Sequence, residues 1–338
     1  MDSLETKMQY SWDLLMNSYL HPRIARRPIL DERVSTASYT FTTQQVMVNP
    51  NYIQLLVNRG VTEDTAIFGI LDHEIGHYAV HPRTLASYLV LAEAAHCHYP
   101  NDTREVQNSL VNYYSDAAVN LWRMGYKESG NALRQTRAAL VGNDDVFDVL
   151  TGLYDRQIPF FQTPFFSSQK YLADKEKYDW RIKELQMVDF MNTKQEMFHL
   201  YRFGEAIIDL LRKQEQSGTD CNNPFGDCDN EEGNAKSRTA KGQQKIQSKN
   251  TTFEDVTGQD LEAALRQIAT ERPLWQYQRI KKFVESELGK KTSGVQSRQP
   301  ASSRMIGLEQ GDLQWNNELI DYYKKNQKEW ECTFIKSQ

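Results

Sequence analysis

Cysteine is scarce in this 338-residue sequence, with four in all. Cys97 and Cys332 stand far apart, and Cys221 and Cys228 lie in a polar stretch. That excludes a dense disulfide framework and fits a reducing compartment. Long apolar runs are missing too. Nothing approaches the roughly 20 apolar residues that cross a bilayer. The nearest stretch, Leu85 to Ala95, is interrupted by Ser87, Tyr88 and Glu93. Met1 to Gln9 is polar and lacks the apolar segment of a secretory signal. The expectation is a cytoplasmic protein without a membrane partner. Nor is there an excess of basic charge: 40 Lys and Arg against 45 Asp and Glu give −5. A general nucleic-acid binder neutralises phosphates with surplus Lys and Arg, so no nucleic-acid partner is expected. Hydrophobic residues make up 39%, a low share for a compact enzyme of this length, so part of the chain should lie outside the packed core.

What is present is mostly helical in period. Leu4, Met8, Trp12, Leu15 and Tyr19 recur at spacings of three and four, which predicts an amphipathic helix ended by the segment with Pro22 and Pro28. Alternating and β-branched residues from Ser38 to Val48 predict a strand or hairpin, followed by a short helix over Tyr52 to Asn58. Thr62 is an N-cap residue type, Glu63 and Asp64 suit the first turn, and Pro82 marks a stop, so a helix is predicted over Glu63 to Val80. Further helices are predicted over Leu85–His98, Thr103–Arg123, Gln135–Leu153 and Asp189–Leu211, with a Pro- and Phe-rich loop between the last two. The expected fold class is α+β and predominantly α-helical, with a small sheet beside the Glu63–Val80 helix. Residues 1–212 should form the core. Residues 213–258, rich in Ser, Gly, Asn, Gln, Asp and Lys, should form a disordered linker. Residues 259–338 should hold helical modules, a polar stretch over Gly289–Ser303, a helix over Asp312–Lys328 and a terminal strand over Trp330–Ile335.

The chemistry lies in LDHEIGHYAV. Residues four apart share one helix face, so His73 and His77 can hold one metal ion through two imidazoles. Glu74 lies beside that ion and outside its ligand set, where it can take a proton from an attacking water and return it to the leaving amine. This is the HExxH pattern of zinc peptidases, and one Zn²⁺ per chain is expected. Gly69 and Gly76 are poor helix formers, which predicts close packing against this helix. A catalytic zinc wants a third protein ligand. His81 is one turn on, but the helix ends there, and one straight helix cannot wrap three ligands around an ion. Glu93 has no supporting pattern. Asp116 is preferred: in NSLVNYYSDAAVNLW it shares a helix face with Asn112 and Asn120, amides suited to orienting a ligating carboxylate.

HEIGH, followed by a helical D-x-x-x-N at Asp116 and Asn120, resembles the zincin superfamily, in which a second helix supplies the third ligand. More narrowly, HEIGHYAVHP with N-x-x-x-D-x-x-V-N resembles uncharacterised HExxH metallopeptidases of archaea and bacteria, encoded with von Willebrand A-type proteins and MoxR-type AAA+ ATPases. The resemblance covers roughly Val46 to Trp122. It implies a zincin-like core, peptide-bond hydrolysis by a Glu74-activated water at the zinc, a peptide or protein substrate, and an AAA+ ATPase or von Willebrand A-type partner. It also gives the Tyr39–Val48 segment a role, since zincins pair extended substrates with an edge strand over the cleft. Asp at the third-ligand position, where the commonest zincins have Glu, and the lack of the longer metzincin pattern leave the substrate class open.

Weaker signals are read as structural: the Cys221/Cys228 pair, the His96–Cys97–His98 run and the Arg23, Arg26, Arg27 cluster. Tyr113 or Tyr114 is placed to donate to an oxyanion, with core packing as the plainer alternative. A different class of function is a catalytically silent zincin-fold scaffold acting through partners. An intact Glu74 favours the enzyme, because a pure binder has no use for a base.

Overall fold

The computed structural model describes residues 3–24, 26–125, 130–140, 145–158, 175–216 and 258–292. The chain divides into two compact units, Met1–Leu261 and Glu262–Gln338. Among the described residues there are eleven helices and one three-stranded sheet. None of the helices is long and apolar enough to cross a membrane. The segment expected as a linker, 213–258, is helical at both ends, through Gln216 and from Gly258. Its remainder, like the predicted elements at Asp312–Lys328 and Trp330–Ile335, lies outside the described residues.

In chain order the first unit begins with α1 (Leu4–Ser18), β1 (Ile29–Leu30), β2 (Ala37–Thr40), β3 (Gln45–Val48), α2 (Pro50–Asn58) and α3 (Glu63–Ala79). It continues with α4 (Leu85–His98), α5 (Arg104–Met124), α6 (Asn131–Ala138), α7 (Asp145–Gln157), α8 (Lys175–Leu185) and α9 (Glu196–Gln216). Side-chain caps set several starts. Thr62, Thr84 and Thr103 accept the backbone N–H of Thr65, Ser87 and Val106, satisfying donors that a helix N-terminus leaves unpaired. Asn49 does the same for Asn51, and Pro50 occupies the first helical position, where its missing N–H costs nothing. Pro50 therefore opens a helix as well as ending a strand.

α3 is the central element. It packs against α1, α2, α5, α6 and β2, and its residues from Ile70 to Gly76 are all buried. A helix enclosed on all sides shows little amphipathic contrast, which is why its own period says less about its surroundings than its glycines do. On one side Leu71 and Ile75 join Met8, Trp12 and Leu15 of α1 and Val46 and Val48 of β3 in a buried cluster. A polar clamp ties three helices together there. Asp72, fully enclosed, accepts Arg123 Nε at 2.5 Å and the Tyr19 hydroxyl at 3.0 Å. Burial raises the Asp72 carboxyl to about 6, against the opposing charge of Arg123.

The sheet order is β1-β3-β2. β3 is central: parallel to β1 (Ile29 opposite Met47) and antiparallel to β2 (Ala37 opposite Val48, Thr40 opposite Gln45). Several features depart from the sequence reading: the helical stretch expected over Gln135–Leu153 is two helices, α6 and α7. The two-residue β1 is too short to leave a periodic signal, and α8 falls where loop was expected. α8 is anchored by buried Tyr178, Ile182 and Leu185 and by Arg181, which donates to both carboxylate oxygens of Asp209 at 2.7 Å. The helix expected from Asp189 starts only at Glu196.

The second unit contains most of α10 (Gly258–Glu271) and α11 (Leu274–Thr292), separated at Pro273. Ile268, Ala269, Tyr277, Ile280 and Val284 are buried within it.

Candidate metal centre

Two glycines bring the site together. A Cβ on Gly76 would run into Val119 of α5, and one on Gly69 would lie 2.8 Å from Thr136 Cγ2 and 2.9 Å from the Ala132 carbonyl oxygen of α6. Only glycine lets α5 and α6 approach α3 this closely at those two points. The first approach carries Asp116 toward the histidines, and the second carries Arg137.

His73, His77 and Asp116 converge so that one ligand atom from each lies within 4.8 Å of the others. Asp116 Oδ1 is 3.4 Å from His73 Nε2 and 3.3 Å from His77 Nε2. Their other ring nitrogens fix which proton each imidazole carries. His77 Nδ1 lies 2.9 Å from the backbone carbonyl of His81, and a carbonyl only accepts, so Nδ1 holds the proton. His73 Nδ1 lies 3.0 Å from Asn120 Oδ1, and Asn120 Nδ2 donates to the Tyr154 hydroxyl at 3.1 Å; with the amide placed this way its oxygen accepts from Nδ1. His73 is thus also protonated on Nδ1. Both neutral rings turn an Nε2 lone pair toward a carboxylate oxygen that can only accept. Three acceptors facing one point repel unless a metal ion, or a proton on one of the rings, lies among them. Ligands about 2.0–2.2 Å from a tetrahedral zinc stand roughly 3.3–3.6 Å from one another, and the observed separations of Asp116 from the two rings lie in that range. The three residues could hold a metal ion.

The electrostatics of the metal-free site agree. At His77 burial works to lower the proton affinity, but the hydrogen bond and charge of Asp116 and the charge of Glu74 outweigh it, and the pKa is raised. Burial pushes Asp116 upward, yet His73 and His77 hold its carboxyl well below the usual carboxylate range. Burial raises Glu74, opposed by the charges of the two histidines.

The other two ligand candidates are elsewhere. The His81 ring faces away, with Nε2 3.0 Å from Glu196 Oε1 and the ring edge-on to Tyr114. Its backbone carbonyl serves the site by orienting His77. Glu93 is buried in α4 and accepts the Cys97 thiol at 3.0 Å. Asn112 lines the cleft. Asn120, expected to orient the carboxylate, orients His73. Tyr113 lines the cleft, while Tyr114 packs with Phe190 and Phe203 in the core. Cys97 is exposed. Cys221 and Cys228 lie outside the described residues.

The cleft over the cluster runs between residues Val34 to Tyr39 on one side and Leu133, Thr136 and Arg137 on the other, with Tyr52 and Tyr113 in its walls. Within the Tyr39–Val48 segment only β2 has an unpaired edge among the described strands, because β3 is paired on both sides. Sequence reasoning missed Arg137, Tyr154 and the carbonyl of His81. Arg137 sits on a short polar helix whose sequence carries no motif. Compared with known proteins, the chain matches no family model, and no curated protein and no solved structure is significantly similar to it.

Proposed function

We propose that this chain is a zinc-dependent metallopeptidase, with His73, His77 and Asp116 as metal ligands and Glu74 as general base. The observation that carries the reading is the convergence of three acceptor atoms, each set by its own partner, next to a buried glutamate on the same helix. When bound there, zinc would supply Lewis acidity to a scissile carbonyl and acidity to water. Asn120 and the His81 carbonyl hold the rings in the ligating tautomer. Glu74, adjacent to His73 on the cleft floor, accepts the proton of the attacking water and hands it to the leaving amine. The tyrosine phenol of Tyr52, raised chiefly by burial, stays protonated and can donate to an oxyanion.

The edge of β2 borders the cleft, where an extended peptide would gain backbone hydrogen bonds without its sequence being read. That edge supports a reading of peptide and protein substrates. An AAA+ ATPase or von Willebrand A-type partner rests on the resemblance alone. The test is Glu74→Gln in the zinc-loaded full chain, assayed against a mixed peptide library read by mass spectrometry. Cleavage by the parent protein and none by the variant, with zinc retained in both, is the expected result. Equal cleavage by both would remove the assignment of Glu74.

A further inference from the structure

Arg137 is a charge that metal binding and water activation leave unused. It stands on α6 with Leu133 and Thr136, at the i, i+3 and i+4 spacing that puts all three on the cleft face. Its side chain is only 12% exposed. Its ion pair is a single long one, from Nη2 to Asp116 Oδ2 at 3.8 Å. Arg137 Nη2 lies 3.5 Å from both ring nitrogens of His73, and the guanidinium sits over the Phe147 ring at 5.7 Å from its centroid. Nη2 is turned toward His73 and Asp116 and Phe147 lies against one flat face, while the residue lines the cleft. A structural arginine this enclosed would be expected to close a bidentate pair, as Arg181 does with Asp209.

Cation placement here is otherwise unfavourable. A dication among His73, His77 and Asp116 is balanced by the carboxylates of Asp116 and Glu74, so Arg137 leaves one net positive charge in the cleft. Such a centre is stabilised by an anion from the ligand. Resting on the metal-centre reading above, we propose that Arg137 is the anion-recognising residue of the cleft, and that the substrate class is peptides bearing a carboxylate beside the scissile bond. The planar fork matches a carboxylate through two parallel hydrogen bonds, a geometry that lysine cannot reproduce. A peptide offers such a carboxylate at its C-terminus or on an Asp or Glu side chain, and the two sources are separable by experiment.

The test uses the zinc-loaded full chain and three hydroxamates on one scaffold: hydroxamoyl-succinyl-alanine as the free acid, the same compound as its amide, and hydroxamoyl-succinyl-glutamate amide. Binding is measured by calorimetry, with zinc content determined for every sample. At least one acid should bind about tenfold or more tighter than the neutral amide, and which acid does so identifies the source of the carboxylate. In Arg137→Leu that advantage should disappear while affinity for the neutral amide is kept. Arg137→Lys should recover part of it. Equal binding of all three compounds by the parent protein would overturn the proposal without reference to any variant. So would an acid preference that survives in Arg137→Leu. Failure of the parent protein to bind zinc, or to bind any of the three compounds when loaded, would overturn the metal-centre reading and this one with it.

Discussion

The backbone carbonyl of His81 accepts the Nδ1 proton of His77 at 2.9 Å, while the His81 ring turns away to Glu196. The helix that carries the two candidate ligands ends at Ala79, and the chain then folds back to orient the second of them. A residue that sequence spacing offers as a ligand thus serves through its main chain.

That role can be separated from ligation. Replacing the His81 ring in His81→Ala leaves the carbonyl in place but removes its anchor on Glu196. Zinc affinity should weaken by about tenfold and not be abolished, the range expected for partners that orient a ligand. Competition with a chromophoric chelator measures it. A loss as large as that of His77→Ala would make His81 a ligand.

Asn120→Ala removes the acceptor of the His73 Nδ1 proton and leaves the Tyr154 hydroxyl without its amide donor. Zinc affinity should fall about 10–100-fold. Tyr154→Phe keeps the amide and should fall less. The order Asn120→Ala worse than Tyr154→Phe, read by the same chelator competition, checks the chain of hydrogen bonds.

The close approach of α3 and α5 at Gly76 predicts a coupling between two apolar changes. Gly76→Ala places a methyl group against Val119 and should destabilise by about 1–3 kcal/mol, with loss of zinc affinity as Asp116 is pushed outward. Adding Val119→Ala makes room and should recover part of both. Denaturant melts and zinc titration of the two single variants and the pair give the coupling energy, and strict additivity would show that the helices do not meet there.

Zinc binding should weaken on acidification. The proton affinity of metal-free His77 is set by burial, which lowers it, and by Asp116 and Glu74, which together raise it above the usual imidazole value. Ligation needs the neutral ring, so protons compete at every pH below that raised value and cease to compete above it. The apparent dissociation constant should rise by up to about tenfold per pH unit on the acid side and level off on the alkaline side. A profile flat through the histidine range would contradict a ligand role for His77.

Much of this was legible in the sequence. Helical periods, with Thr62 as a cap and Pro82 as a stop, located α1 through α5 to within a few residues, because such signals act locally. Gly69 and Gly76 announced close helix packing, though not which helices. Asp116 could be singled out because it shares a face with two amides. What stayed hidden depends on tertiary placement. β1 is two residues long, α8 has little amphipathic contrast in its sequence, and Arg137 reaches the cleft only because α6 crosses α3 at Gly69. The partner of Asn120 was misassigned for the same reason: spacing shows that two side chains share a face and not which neighbouring helix each one meets.

The measurement closest to the central claim is elemental analysis of the full chain and of Asp116→Ala, each stripped with chelator and reloaded with excess zinc before desalting. The account predicts about one zinc per parent chain and a large loss in the variant, with both proteins folded by circular dichroism. A parent protein that holds no zinc, or an Asp116→Ala protein that holds as much as the parent, would contradict it.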